Sequence, residues 1–390
     1  MNILIVCQYF YPERFRVNDI CFELVKRGYN VTVLTGLPNY PEGSILEDYK
    51  KVRYEEINGV KVYRSWLIGR GNSRKSLFLN YISFAISSIL RTYNINKDFD
   101  KILVYQLSPV TMALPGIVLK KRFKKPLIIY THDLWPESIS SGGVSQNSLI
   151  YKTIRKLSKY IYKSADEIWY SSEMFDKYFK EYLDVDIKNR YLPSFAEKIF
   201  DNIEIQGHKN VINLVFAGNI GEMQSVETIV EVANILRHEK KVKFHIVGDG
   251  SSKKKCENLA KSFDLDNIVF YGSKPLEEMP YFYNLADAFI MTLKDNEVIS
   301  YTLPNKVQSY LAAGKPILAS VYGETKRVIE KSNSGLVSYP TDAAAFANNI
   351  LAFSKLSSDE RLTLGINARN YYDNHFSRES YFKSLESFLK

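Results

Sequence analysis

Strand-length apolar runs closed by turn residues recur along the whole chain, and between them apolar positions return every three or four residues. In the first half the runs are "NILIVCQYF", "VTVLTG", "KILVYQLSP", "PLIIYTHD" and "EIWYSS". In the second they are "NLVFAGNIG", "KFHIVGDG", "NIVFYGS", "AFIMTL" and "PILAS". Continuous apolar strands alternating with helical stretches predict the α/β class, with two domains built on parallel sheets. The stretch 193–210, "PSFAEKIFDNIEIQGHKN", is polar and irregular and marks a linker that serves as a hinge between residues 1–195 and 196–366. Residues 367–390 are aromatic and helical in pattern and are expected to pack back on the first domain.

Within this pattern, "TLPNKVQSYLAAGKPILAS" (Thr302 to Ser320) stands out. Pro304 suits the first position of a helix, Gly314 the residue beyond its end, and Pro316 stops any continuation, so a helix is expected over 304–313. Ile317 to Ser320 then reads as a buried strand. Orphan N–H groups, the positive end of the helix dipole and Lys306 converge at the helix start, which makes an anion site; a solvated surface lysine is the plainer alternative. Ligands of open parallel sheets bind beyond the carboxyl ends of the strands. There "VFAGNIGEMQS" offers Gly218 and Gly221 before a helix, and "HIVGDGSSKKK" offers Gly248, Asp249 and Gly250. The third glycine of a dinucleotide fingerprint is absent, since position 253 is Lys253, and the loop after the first strand has no glycine at all. NAD and FAD enzymes are therefore disfavoured.

Composition narrows the picture. With 390 residues and 45% hydrophobic content the chain can bury two cores. Three cysteines without metal-like spacing favour a reducing cytoplasm, and the N-terminus has no signal-peptide pattern. Ser76 to Leu90 is uncharged but too short to span a bilayer comfortably, so it reads as a buried or half-buried helix. Residues 1–195 carry 29 Lys and Arg against 19 Asp and Glu, whereas residues 196–390 carry 23 against 24. Basic and aromatic residues mix in "KKRFKK" and "YKTIRKLSKYIYK", as they do on membrane-surface helices. That favours an anionic membrane surface over nucleic acid, for which no motif is present; a solvated basic face is the alternative.

Taken in order, "GNIGEMQSVETIV", "FHIVGDGS", "NIVFYGSKPLEEMPYFYNLADAFIMTL" and "LPNKVQSYLAAGKPILA" resemble the donor-binding domain of retaining, nucleotide-sugar-dependent glycosyltransferases of family 4. "QYFYPERFRVNDICFELVKRGYNVTVLTGLPNYPEG" and "THDLWPES" are similar to members from O-antigen and capsule clusters, the N-acetyl-L-fucosamine transferase type among them. The resemblance implies a GT-B fold, two Rossmann-like domains facing across a cleft. The acceptor would lie on the first and the nucleotide diphosphate sugar, usually a UDP-sugar, on the second. It implies no metal and no cofactor, the diphosphate being neutralised by lysine and helix N-termini.

Under the resemblance, Lys306 faces the diphosphate, His132 and Asp133 lie at the reaction centre, and Gly218, Asn219, Gly221, Gln224, Gly248, Asp249, Gly250, Lys294, Asn305, Gln308 and Ser309 surround the donor. Trp135 shapes the centre, and Glu137 is either a base or a helix-start residue. Arg14, Arg16, Asn18, Asn39 and Tyr40 are candidates for the acceptor; pairing of Arg16 with Asp19 and a plain turn at Asn39–Tyr40 are the alternatives. The expected acceptor is a polyprenyl-diphosphate-linked saccharide, with the protein peripheral on the cytoplasmic face of the membrane. Two glutamates of the wider family are replaced by Tyr301 and Ser309, and an arginine–lysine pair by Asn219 and Gln224. Lys294, Lys326 and Arg327 are the possible substitutes. These departures leave a non-catalytic nucleotide-sugar-binding partner open, as well as a UDP-sugar epimerase.

Overall fold

The computed structural model describes residues 1–71, 73–141, 143–204 and 211–390. The last six residues of the expected linker, 205–210, lie outside them. The chain divides into two units, residues 1–171 with 175–191 and residues 172–174 with 192–390. The chain thus passes into the second unit for three residues before the main crossing at 191/192.

The first unit is built on one sheet of eight strands: β1 (Asn2–Val6), β2 (Asn30–Gly36), β3 (Tyr54–Ile57), β4 (Val60–Ser65), β5 (Lys101–Gln106), β6 (Leu127–Thr131), β7 (Glu167–Tyr170) and β8 (Asn189–Tyr191), in the order β3-β4-β2-β1-β5-β6-β7-β8. All neighbours pair in parallel except β3 with β4. The central strands β1, β5 and β6 are buried along nearly their whole length, which accounts for their apolar runs: a sheet covered on both faces offers no solvent side for alternation. The strand order reverses at β1 and β5, the switch point of the sheet.

The second unit holds β9 (Ile212–Ala217), β10 (Val242–Val247), β11 (Ile268–Gly272), β12 (Ala288–Thr292), β13 (Ile317–Ser320) and β14 (Gly335–Ser338), in the order β11-β10-β9-β12-β13-β14, all parallel. Its core gathers Leu214, Phe216, Ile229, Phe244, Ile246, Ile290, Leu318 and Phe346, and its switch point lies at β9 and β12. The helices Ser358–His375 and Arg378–Leu389 group with this unit, where Tyr381 meets the Phe195 ring at 4.8 Å and the Tyr372 hydroxyl accepts from the Ala196 N–H at 3.3 Å.

One local expectation changes, and the half-buried helix expected over 76–90 is observed. The helix expected from Pro304 runs Asn305–Ala312, with Pro304 as its extended cap residue. The helix Arg74–Arg91, which contains Ser76 to Leu90, starts in a Ser73/Ser76 capping box and buries Asn80, Phe84, Ala85 and Ser88. Its outward face is apolar as well, with Phe78, Leu79, Ile82, Ile86 and Leu90 all exposed. The inner side packs on β2 and β4, and the uncharged residues of the outer side stay exposed.

Candidate active site

In the second unit, Lys306 sits in the first turn of the helix Asn305–Ala312. One turn later, the Tyr310 hydroxyl accepts from the Ala217 N–H at 2.9 Å and donates to the Ala217 carbonyl at 3.0 Å, while its ring stacks on Phe289 of β12 at 4.0 Å. Tyr310 thereby straps the helix to the end of β9 at the switch point. The strap brings the Lys306 Nζ over the Phe216 ring at 4.1 Å and against Gly218, where a Cβ would come within 3.1 Å of it. The Nζ is buried without a hydrogen-bond partner. Burial pulls its pKa down to about 7, because the ammonium has lost its water and gained no anion. The buried amine thus lies between the Phe216 ring and the turn at Gly218.

The two glycine loops are built as a pair. Gly218 N–H donates to Val247 O at 2.9 Å, Ile220 N–H to Asp249 O at 2.8 Å and Ser252 N–H to Ile220 O at 2.9 Å. Gly248 holds φ +142°, and a Cβ there would stand 1.8 Å from the Gly218 carbonyl oxygen, so only glycine lets the loops meet. Gly221 N–H and the Asn219 amide both donate to Gln224 Oε1, each at 3.1 Å. Asp249 is engaged by Gly250 N–H at 2.7 Å and Lys253 at 3.3 Å.

The candidate substitutes for the absent cations are committed elsewhere. Lys294 pairs with Glu222 at 2.5 Å on the surface, Lys326 lies 3.7 Å from Glu330, and Arg327 pairs with Glu173 and the buried Glu324, each at 2.5 Å. Gln308 is buried, and its amide, oriented to satisfy both ends, donates to Pro304 O and Asn305 O at 3.0 and 3.1 Å. Asn305 is exposed at the helix start. Both positions where the resemblance expects a glutamate hold a hydroxyl that donates to a carboxylate from another place: Tyr301 to Glu297 at 2.8 Å and Ser309 to Glu197 at 3.0 Å.

In the first unit, His132 follows β6 and lies between the Tyr105 and Tyr130 rings, 4.2 Å from each. Its Nε2 is buried and unpartnered, and burial lowers its pKa to about 3, so the ring is neutral throughout the physiological range. Asp133 accepts from the Ser108 hydroxyl at 2.8 Å and is pushed up by burial. The same hydroxyl accepts from Trp135 Nε1 at 3.0 Å, so Ser108, which the sequence reading did not single out, fixes both residues.

The acceptor candidates divide. Arg14 and Tyr40 are exposed. Arg16 pairs with Asp19 at 3.2 Å, the plainer alternative. Asn18 is a loop clamp, donating to Glu13 O at 2.6 Å and accepting from Tyr11 N–H at 3.1 Å. Asn39 is fully buried; its Oδ1 accepts from Arg70 N–H at 3.0 Å and from the Asn80 amide at 3.2 Å. Glu137 is buried under Tyr151 at 2.5 Å, Tyr178 at 3.3 Å and Gln146 at 3.1 Å. It therefore ties its loop together at the start of the short helix Glu137–Ser141.

Sequence reasoning also missed Glu13. Its carboxylate accepts from Asn39, Tyr40 and Phe10 N–H at 2.8, 2.7 and 3.3 Å, drawing two loops to one point. Burial raises its pKa to about 7 against those bonds. In "PERFRVND" the sequence reading singles out Arg14, Arg16, Asn18 and Asp19 and passes over Glu13.

With two parallel-sheet units and polar groups gathered at strand ends, the geometry is that of a GT-B protein. Residues 196–371 match the model of glycosyl transferases group 1, and residues 14–193 match the glycosyl transferase 4-like domain. Between them they cover nearly the whole chain, which belongs to the GT-B glycosyltransferases of family 4. A relative from Escherichia coli K12 named for colanic acid biosynthesis, the glycosyl transferase WcaI, is 23% identical over 85% of this chain and 86% of its own. Sucrose-phosphate synthase from Thermosynechococcus elongatus shares the fold with a TM-score of 0.77 at 17% identity, over 100% of this chain and 98% of that one. HepE from Anabaena, solved in complex with UDP and glucose, has a TM-score of 0.71 at 13% identity, over 99% and 98%.

Proposed function

We propose that this glycosyltransferase moves a sugar with retention from a nucleotide diphosphate donor, a UDP-sugar, to a polyprenyl-diphosphate-linked saccharide in the making of a bacterial surface polysaccharide. An O-antigen or capsule is the expected product, and N-acetyl-L-fucosamine the first sugar to try. The observation that carries the proposal is the buried, unpartnered Lys306 Nζ against Gly218. The diphosphate supplies the missing anion, and the amides of the helix start add N–H donors. Crystals of HepE with UDP and the name of WcaI support the base and the pathway.

In this mechanism the acceptor hydroxyl attacks the anomeric carbon on the face of the leaving diphosphate. The anomeric C–O bond to phosphate breaks, the glycosidic bond forms, and a diphosphate oxygen takes the proton. Protonated Lys306 stabilises the departing charge, and neutral His132 positions a sugar hydroxyl through Nε2. Ser309 and Glu197 together hold the ribose. Neither a metal nor a cofactor takes part. The protein works as a peripheral protein on the inner face of the cell membrane.

Thermal stabilisation by UDP, GDP, ADP and dTDP tests the donor site, with Lys306→Ala beside the wild type. Stabilisation by UDP alone, lost in the variant, is expected. No shift with any of the four would remove the donor assignment.

A further inference from the structure

The outward face of the helix Arg74–Arg91 is an exposed apolar surface of the first unit. Phe78, Ile82, Ile86 and Leu90 follow one another at intervals of four, with Leu79 beside them, and their exposures run from 39% to 63%. Residues at i and i+4 share one face of a helix, so this is a continuous stripe. The preceding segment widens it. Ile68 N–H donates to Ser83 Oγ at 2.9 Å and the Ser87 hydroxyl donates to Trp66 O, which lays the exposed Trp66 and Ile68 alongside the stripe. At the far end, exposed Tyr93 lies under the Arg122 guanidinium at 4.8 Å.

Charge around the stripe is of one sign. From Ile57 to Lys97 the sequence has no Asp or Glu, against seven Lys and Arg, of which Arg64 is buried and paired with Glu55. Arg74 and Lys75 stand at the start of the helix and Arg91 at its end. The opposite face of the same helix reaches the acceptor loops, through Asn80 to Asn39 at 3.2 Å and to Gln8 at 2.7 Å, and through Tyr81, edge-on to Trp135 at 6.5 Å.

The geometry points to this face as the surface by which the protein enters an anionic bilayer, with the helix lying in the plane of the interface. The proposal rests on the membrane-bound acceptor of the proposed function and gives the contact to an element that the basic clusters alone do not indicate. Charge complementarity selects the occupant. Bulky apolar side chains reach the acyl boundary while cations at both ends meet lipid phosphates. A second copy docking on the same face would oppose cation to cation. No helix among the described residues is long and apolar enough to cross the bilayer, so the contact is to one leaflet.

The full chain is sedimented with vesicles of phosphatidylglycerol and phosphatidylethanolamine, as wild type and as Ile82→Glu/Ile86→Glu, with nucleotide-induced stabilisation recorded on the same samples. Wild type is expected to sediment with the vesicles, and the double variant to lose partition by more than roughly tenfold while its melting temperature and nucleotide response stay unchanged. Trp66 emission is expected to shift to the blue on vesicle addition, and Trp66→Phe to abolish the shift, since Trp135 and Trp169 are buried. Undiminished sedimentation of the double variant overturns the proposal, as does failure of the wild type to sediment. So does a wild-type dimer that the double variant dissociates. Intact nucleotide stabilisation with no vesicle binding removes the lipid surface alone; vesicle binding with no nucleotide response removes the donor site alone.

Discussion

At the scale of single residues, the two buried bases at strand ends behave oppositely to surface groups. Lys306 has its pKa lowered from 10.5 to about 7 by burial. Between those values the unfolded chain holds a proton that the folded one lacks, so stability of the free protein should rise with pH across that window. Lys306→Met should flatten the slope in thermal melts. A bound diphosphate restores the charge, so nucleotide binding near pH 8 should take up close to one proton, read by calorimetry in buffers of different ionisation heat. The uptake should vanish in Lys306→Met, whose turnover falls about a hundredfold or more. His132 runs from 6.5 to about 3. Acid should destabilise the protein progressively below pH 6.5 as the unfolded histidine protonates first, and His132→Gln should weaken that dependence. Lys306 was legible because Pro304 and Gly314 punctuate its helix. What was not legible is that its amine ends on Phe216 and Gly218, since residues 90 positions apart in sequence meet only through the sheet.

Elements decide where such groups point. Tyr310 carries the lysine helix to β9 through two hydrogen bonds to Ala217. Tyr310→Phe leaves both backbone groups buried without that partner, at a cost of about 1–3 kcal/mol. A fall of several degrees in melting temperature and a raised donor KM are the expected readouts. Gly248→Ala places a methyl group 1.8 Å from a backbone oxygen and should yield little folded protein, judged by soluble expression and circular dichroism. The strand runs of both sheets were readable because their central strands are buried on both faces. The β3–β4 hairpin was not read, although Asn58-Gly59, both with positive φ, is a strong two-residue turn signal. Glu137 was equally ambiguous in sequence: a carboxylate at a helix start looks the same whether it faces substrate or, as here, two tyrosine hydroxyls.

Over the whole molecule, net charge and its placement separate lipid attraction from donor binding. Residues 1–195 hold the entire positive excess. Raising salt from about 0.05 to about 0.5 M should therefore weaken vesicle sedimentation strongly while leaving part of it, since the apolar stripe is not screened. A salt-independent partition would contradict the cationic rim. By itself the sequence determined the α/β class, the two sheets, the glycine loops and the charge asymmetry, because these follow from local periodicity, turn chemistry and composition. Only the tertiary structure decided which polar residues are engaged. Asn18, Asn39 and Glu137 became internal clamps, Lys294 a surface ion pair, and Ser309 the partner of Glu197. Burial and pairing are set by which distant segments a fold brings together, and no property of one residue and its near neighbours specifies that.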